Sequence, residues 1–327
     1  MRALMLSLLL AALALPVAAD EDGDTLMGIY RGTFTSGPFT GEDLRVDVVP
    51  RSATAYDLVY YLPGDAGRVV VDGRKDGKEA TELVLEDEAA EDDAPFTFDV
   101  TLNADGLRGL ISGPEAQHGF LLSLSDESSP SLGMSPPEGA VALFEPDPAQ
   151  HWKRHPELWC RTAEGAFEVC GSSLITREAF GSGRWHIEFK TPFMPGARGQ
   201  SRGNSGVYVM GRYEIQVLDS FGEEPAWDYC GGIYKVAAPL TNASLPPLQW
   251  QTYDIAFTAP EFDEAGNKTA NARVTVRHNG ILIHDDLELP RPTPGGLGGD
   301  EVVAAPLLLQ DHGDQVQYRN IWFQPAD

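Results

Sequence analysis

The segment Arg212-Tyr-Glu-Ile-Gln-Val-Leu-Asp219 alternates apolar and polar residues with the two-residue period of a β-strand. Tyr213, Ile215 and Val217 then fill a core, while Glu214 and Gln216 share the opposite face. A carboxylate in mid-strand beside a side-chain amide is a candidate general acid or base with a hydrogen-bonding neighbour. Glu188 has the same parity among Trp185, Ile187 and Phe189, and nearer the C-terminus Leu307 and Leu309 alternate with Leu308, Gln310 and His312. His312 adds an imidazole, whose reference pKa of about 6.5 lets it give or take a proton near neutrality. The solvent face of an ordinary antiparallel sheet carries the same pattern. Trp227, Tyr234, Trp250 and Tyr253 favour a cleft instead, because aromatic rings beside carboxylates suit sugars, which offer apolar C–H faces and many hydroxyls.

The connection Phe193 to Gly206 is glycine-rich and carries Arg198, Arg202, Asn204 and Ser205, as expected of a flexible rim or a loop that approaches ligand closely. It lacks the lysine and following serine or threonine of a phosphate loop, and no Gly-x-Ser-x-Gly elbow is present. His151 and His155 are four apart, but Pro156 follows and no glutamate stands where a zinc protease needs one, so surface histidines are the expectation. Asp219, Asp311 and His312 are weak ligand candidates, which leaves a divalent cation open as a cofactor.

Strand signals dominate the elements that must hold these groups. Short alternating runs at Leu44 to Val48, Leu58 to Leu62, Val69 to Val71, Leu83 to Leu85 and Phe96 to Leu102 predict a small β-rich domain over residues 20–130. The acidic run Glu86 to Asp93 reads as a solvated loop within it. Serines and prolines mark a linker at 131–139, and residues 140–327 again read as many short strands. Asn279-Gly280, between Ala272 to His278 and Ile281 to His284, is the clearest hairpin turn. About 190 residues of this kind predict a two-sheet sandwich of the jelly-roll type, so the chain is expected to be all-β.

Met1-Arg2, the apolar run Ala3 to Leu15 and the small residues before Asp20 read as an export signal cut after Ala19, with no later stretch fit to span a membrane. A periplasmic or secreted location follows, where Cys160 and Cys170, flanking a short turn, have spacing that allows a cross-strand bridge. Side-chain direction at these two is not set by the spacing, and Cys230 is expected as a buried apolar residue. The chain carries 24 Lys plus Arg against 49 Asp plus Glu, a net charge of −25, which excludes a nucleic-acid-coated surface.

Four ordered blocks together resemble the 3-keto-disaccharide hydrolase domain family. They are Arg202-Gly-Asn-Ser-Gly-Val-Tyr-Val-Met-Gly-Arg-Tyr-Glu-Ile-Gln-Val-Leu-Asp-Ser-Phe221, Cys230-Gly-Gly-Ile-Tyr-Lys-Val-Ala-Ala-Pro239, Trp250-Gln-Thr-Tyr-Asp-Ile255, and Leu309-Gln-Asp-His-Gly313 with Arg319-Asn-Ile-Trp322. The resemblance spans the second domain and implies a concanavalin-A-like jelly roll. It also implies cleavage of glycosides whose sugar is oxidised to a ketone at C3. A 3-keto group acidifies the C2 hydrogen, so such a site needs a base near C2, a donor for the enolate oxygen and an acid for the leaving group. Matching positions make Glu214 the general acid or base, Glu188 its partner or an orienting carboxylate, and His312 a second proton carrier. Lys235, Gln216, Gln310, Asn204 and Arg202 would contact substrate oxygens, and Trp250 would stack on the sugar. A noncatalytic carbohydrate-binding sandwich and a conventional glycoside hydrolase are the competing expectations.

Overall fold

In the computed structural model, residues 23–64, 67–76, 83–88, 96–144, 147–153 and 159–326 are described. The expected export signal at residues 1–19, Ala89 to Asp93 of the acidic run, and His155 lie outside them. Among the described residues no helix is long and apolar enough to cross a membrane.

The first part is a closed eight-stranded antiparallel barrel in which each strand pairs with the next and the last returns to the first. Its strands are β1 (Gly28–Phe34), β2 (Asp43–Pro50), β3 (Ala55–Tyr61), β4 (Arg68–Lys75), β5 (Leu83–Glu88), β6 (Thr97–Asn103), β7 (Gly106–Ser112) and β8 (Gln117–Leu124). Closure removes both edge strands. The inward residues of the alternating runs, among them Val46, Leu58, Val71, Val100, Leu107 and Leu122, fill the interior. Glu86 to Glu88, expected in a loop, belong to β5, which spans Leu83–Glu88 and pairs with β6.

The second part is a two-sheet antiparallel sandwich, the jelly-roll architecture expected. Its strands are β9 (Val141–Ala142), β10 (Cys160–Arg161), β11 (Phe167–Glu168), β12 (Leu174–Ile175), β13 (Gly183–Lys190), β14 (Ser205–Val209), β15 (Tyr213–Val217), β16 (Gln251–Thr258), β17 (Glu261–Phe262), β18 (Lys268–Ala270), β19 (Ala272–His278), β20 (Ile281–Leu289), β21 (Leu308–Leu309) and β22 (Gln317–Pro325). The larger sheet runs β10-β11-β22-β13-β16-β19-β20 with β9 on β22, and the smaller runs β12-β21-β14-β15. Trp185, Ile187 and Phe189 of the larger sheet meet Val207, Val209, Ile215, Val217 and Leu309 of the smaller in one core. Burying such side chains stabilises the fold by about 1.5–3 kcal/mol each. Asn279 and Gly280 both have positive φ, 51° and 79°, as the β19–β20 turn requires. Register is irregular between Val274 and Arg277, where His284 and Ile283 are both buried although adjacent on β20, and Ile281 beside the turn is 48% exposed. Cys160 and Cys170 form a disulfide, and Cys230 is buried beside the Tyr253 hydroxyl.

Barrel and sandwich meet at an apolar cluster of Ile29, Val49 and Val59 with Phe221 and Leu245. The segment between them is not a loose tether. Ser131 Oγ donates to Asp254 (2.6 Å), and the Gly133 N–H donates to Glu188 (2.6 Å), so the chain lies along the outer face of the larger sheet.

Candidate functional site

With Tyr213, Ile215 and Val217 in the core, strand parity turns Glu214 and Gln216 to the outer face of the smaller sheet. The adjacent β14 has Val207 and Val209 in the core, so Asn204, Gly206 and Tyr208 join that face. In register, Tyr208 lies opposite Glu214 and Gly206 opposite Gln216. Across β14, Leu309 is in the core and Gln310 on the outer side. Glu214, Tyr208, Gln310, Gln216 and Asn204 therefore form one polar patch over three strands. Gly206 lies among them, because a Cβ there would come 2.5 Å from Glu214 Oε1, 3.0 Å from the Tyr208 ring and 3.2 Å from Gln310 Oε1.

Glu214 is 2% exposed, and burial pushes its carboxyl up to about 7 against a modest opposing hydrogen bond from Tyr208. A carboxyl poised there exchanges its proton near neutrality, as a catalytic base must. Burial and the neighbouring carboxylate raise the Tyr208 phenol, so its hydroxyl stays a protonated donor. The single proton of that hydroxyl is shared between the Glu214 carboxylate and Pro294 O (3.2 Å), and its oxygen accepts from Gln310 Nε2 (3.3 Å). The Glu214 backbone is held by Thr293, whose Oγ1 accepts its N–H at 2.9 Å.

Gln200 ties the other half of the patch together: its Oε1 accepts from Gln216 Nε2 and from Asn204 Nδ2, each at 3.2 Å. The amide oxygens of Asn204, Gln216 and Gln310 are buried and have no hydrogen-bond partner among the described residues. Buried polar atoms are normally paired, so three orphaned acceptors on one face suit a ligand bearing hydroxyl donors. On the rim, Tyr234 N–H approaches Glu214 O (3.4 Å), and the Tyr234 ring packs edge-on against Trp227 at 5.1 Å. Trp227 is 39% exposed and offers an apolar plate to a sugar. Lys235 is exposed at positive φ (57°), with its ammonium 5.7 Å from the Tyr234 ring centre.

Of the remaining expected residues, Glu188 and Trp250 lie on the other sheet. Trp185, Ile187 and Phe189 face the same core from the other sheet, so Glu188 points out of the opposite side of the sandwich and is no partner to Glu214. It accepts from Arg319 Nε (2.7 Å), Asn320 Nδ2 (2.8 Å) and Gly133 N, with His186 at 3.4 Å. These bonds outweigh burial and hold its carboxyl down at about 2. Trp250 belongs to this cluster too, with the Arg319 guanidinium 4.0 Å and the Lys190 ammonium 5.0 Å from its ring centre. Arg202 is buried in an ion pair with Asp219 (2.7 Å) that holds the loop, and its Nη2 has no hydrogen-bond partner among the described residues. Asp311 accepts N–H groups of Gly171 and Gly313. His312 is exposed two residues beyond Gln310 and interacts with Asp314, which accepts the Asn204 N–H at 2.7 Å. Among the described residues no group of three or more His, Cys, Asp or Glu is arranged to hold a metal ion.

Tyr208, Gln200, Thr293 and Asp314 were missed in the sequence. Tyr208 alone had a signal: between Val207 and Val209 it has the parity of Glu214.

A candidate glycosyl hydrolase of known structure from Parabacteroides distasonis is 32% identical, with TM-score 0.51, over 59% of this chain and 86% of its own. A second from the same organism is 20% identical, with TM-score 0.41, over 57% of this chain and 99% of its own. No curated protein matches the chain. The model of the 3-keto-alpha-glucoside-1,2-lyase-like domain matches residues 139–324, the whole sandwich and more than half of the chain. The protein therefore belongs to the 3-keto-alpha-glucoside-1,2-lyase-like family, a carbohydrate-active group, and carries that domain behind an eight-stranded barrel.

Proposed function

We propose that the protein cleaves 3-keto-glycosides, with Glu214 as the base that removes the C2 proton. The observation that carries this is a single buried carboxyl raised to about 7 in a patch of neutral hydrogen-bonding groups. A conventional retaining glycosidase needs a second carboxylate about 5–5.5 Å away. The neighbour two residues along is Gln216, and Glu188 projects from the opposite face.

In the deprotonated form Glu214 takes the C2 proton, and the C2–H electron pair forms the enolate of the C3 ketone. Gln310 Nε2 and the Tyr208 hydroxyl are donors on the same face for the developing oxyanion. Collapse of the enolate forms C1=C2 and breaks the C1–O bond, and the leaving oxygen takes a proton from a water molecule. The hydroxide so formed adds at C1, and C2 takes a proton from Glu214 after exchange with solvent, so the sum is hydrolysis. The unpaired oxygens of Asn204 and Gln216 would accept sugar hydroxyls, and Trp227 with Tyr234 would cover the sugar's apolar face.

The test is incubation of the exported form with 3-keto-glucosides and their unoxidised parents, with and without chelator, following released sugar. Cleavage of the keto compounds alone is expected. Equal cleavage of the parents would point to conventional glycosidase chemistry, and saturable binding with no product would point to a carbohydrate-binding module.

A further inference from the structure

The barrel strand β4 carries Asp72 and Arg74, two apart and both exposed, on the side that faces the sandwich across a cleft of about 510 Å³. The opposite wall includes Arg198, Glu223 and Tyr229. We infer that this inter-domain cleft is a distal subsite for further neutral sugar residues of the substrate, beyond the ring that is cleaved, and this rests on the function proposed above.

Three features support it. First, the cleft is preformed. Arg51 of the barrel is paired with Asp57 and reaches Glu223 at 2.9 Å, while Arg198 Nη2 donates to Arg51 O at 2.9 Å. Together with the apolar cluster around Phe221 these bonds fix the barrel against the sandwich. Second, its charge is balanced, since Arg51, Arg74 and Arg198 stand with Asp57, Asp72 and Glu223. Mixed donors and acceptors without net charge suit a polyhydroxylated neutral ligand better than an anion. Asp72 lies directly opposite Asp57, an unfavourable pairing of like charges that Arg51 relieves only at Asp57. Among the described residues neither Asp72 nor Arg74 has an ion-pair partner. Third, the cleft adjoins the Glu214 patch. Gly199 and Tyr229 line it, and their neighbours form the shared wall, with Gln200 Nε2 donating to Asp228 O and Gln200 Oε1 accepting from Gln216.

The experiment uses the full exported chain and its Asp72→Ala/Arg74→Ala variant, both positions being exposed and remote from the core. The substrates are a methyl 3-keto-glucoside and a 3-keto-trisaccharide, and unoxidised glucose trisaccharide binding is measured in parallel by calorimetry. We expect the wild type to favour the trisaccharide in kcat/KM on the order of tenfold. The variant should lose that preference and weaken trisaccharide binding, with unchanged turnover of the methyl compound. Equal kcat/KM for both lengths in the wild type, or trisaccharide binding unaltered in the variant, would overturn the inference. If neither keto compound is cleaved, the Glu214 chemistry fails instead, and the calorimetric comparison still decides the cleft.

Discussion

Replacing Glu214 by Gln should abolish turnover and at the same time make the protein more stable in alkaline solution. The carboxyl stands at about 7 against an ordinary 4.5, chiefly because burial disfavours the anion. Because the folded pKa is raised above the unfolded one, stability is greatest below about 4.5 and declines as pH rises through about 7. A displacement of that size is worth about 3 kcal/mol. Glutamine fills a similar volume and does not ionise, so the variant lacks this loss while every other titrating group cancels in the comparison. Denaturant unfolding of both proteins from about pH 4 to about pH 9 supplies the difference in stability at each pH. The variant's advantage should grow by about 3 kcal/mol across that range, centred on the interval between 4.5 and 7. A constant difference would refute the buried, uncharged carboxyl and with it the physical basis for Glu214 as a base.

Three further outcomes follow from particular contacts. Tyr208→Phe removes the hydrogen bond that opposes the rise of the Glu214 carboxyl, so the acidic limb of the kcat/KM profile should move to higher pH. An unshifted limb would separate Tyr208 from the base. Gly206→Ala places a Cβ 2.5 Å from Glu214 Oε1, and a displaced base should lower kcat/KM on the order of 100-fold while circular dichroism stays native; normal activity would show that the patch is not the site. Glu188→Gln should leave turnover intact but destabilise the fold, because the carboxylate gathers Arg319, Asn320 and the Gly133 N–H. Since that carboxyl is held down at about 2, its contribution is present above about 4.5 and disappears as pH falls toward 2, which acid unfolding of wild type and variant would reveal.

The two carboxylates show how far the sequence could be read. Alternation places Glu188 and Glu214 away from the core, and both do point away from it. A sandwich has two outer faces, however, and alternation along one strand does not say which sheet the strand joins. Pairing of β13 with β16 and β22 decides that, through contacts far apart in sequence. Trp250 was misassigned for the same reason, since it follows Glu188 and Arg319 to the back of the molecule. The barrel shows a parallel limit. Its strands were legible one by one at Leu44 to Val48 and Phe96 to Leu102, but an open sheet and a closed barrel share the same alternation. Closure depends on β8 returning to β1, with Tyr30 opposite Leu124. The patch around Glu214 was more legible because β14 and β15 are consecutive and joined by a tight turn, so parity carried directly from one to the other.

The central claim is that Glu214 removes the C2 proton of a 3-keto-glycoside. Its most direct test is cleavage in D2O followed by mass spectrometry and proton NMR of the released keto sugar. Wild type should place one deuterium at C2, in step with bond cleavage, and Glu214→Gln should release neither product nor label above the uncatalysed rate. Sugar released by the wild type with its C2 hydrogen retained, together with no slowing of cleavage when C2 carries deuterium, would contradict the account, because the glycosidic bond would then have broken without C2–H cleavage.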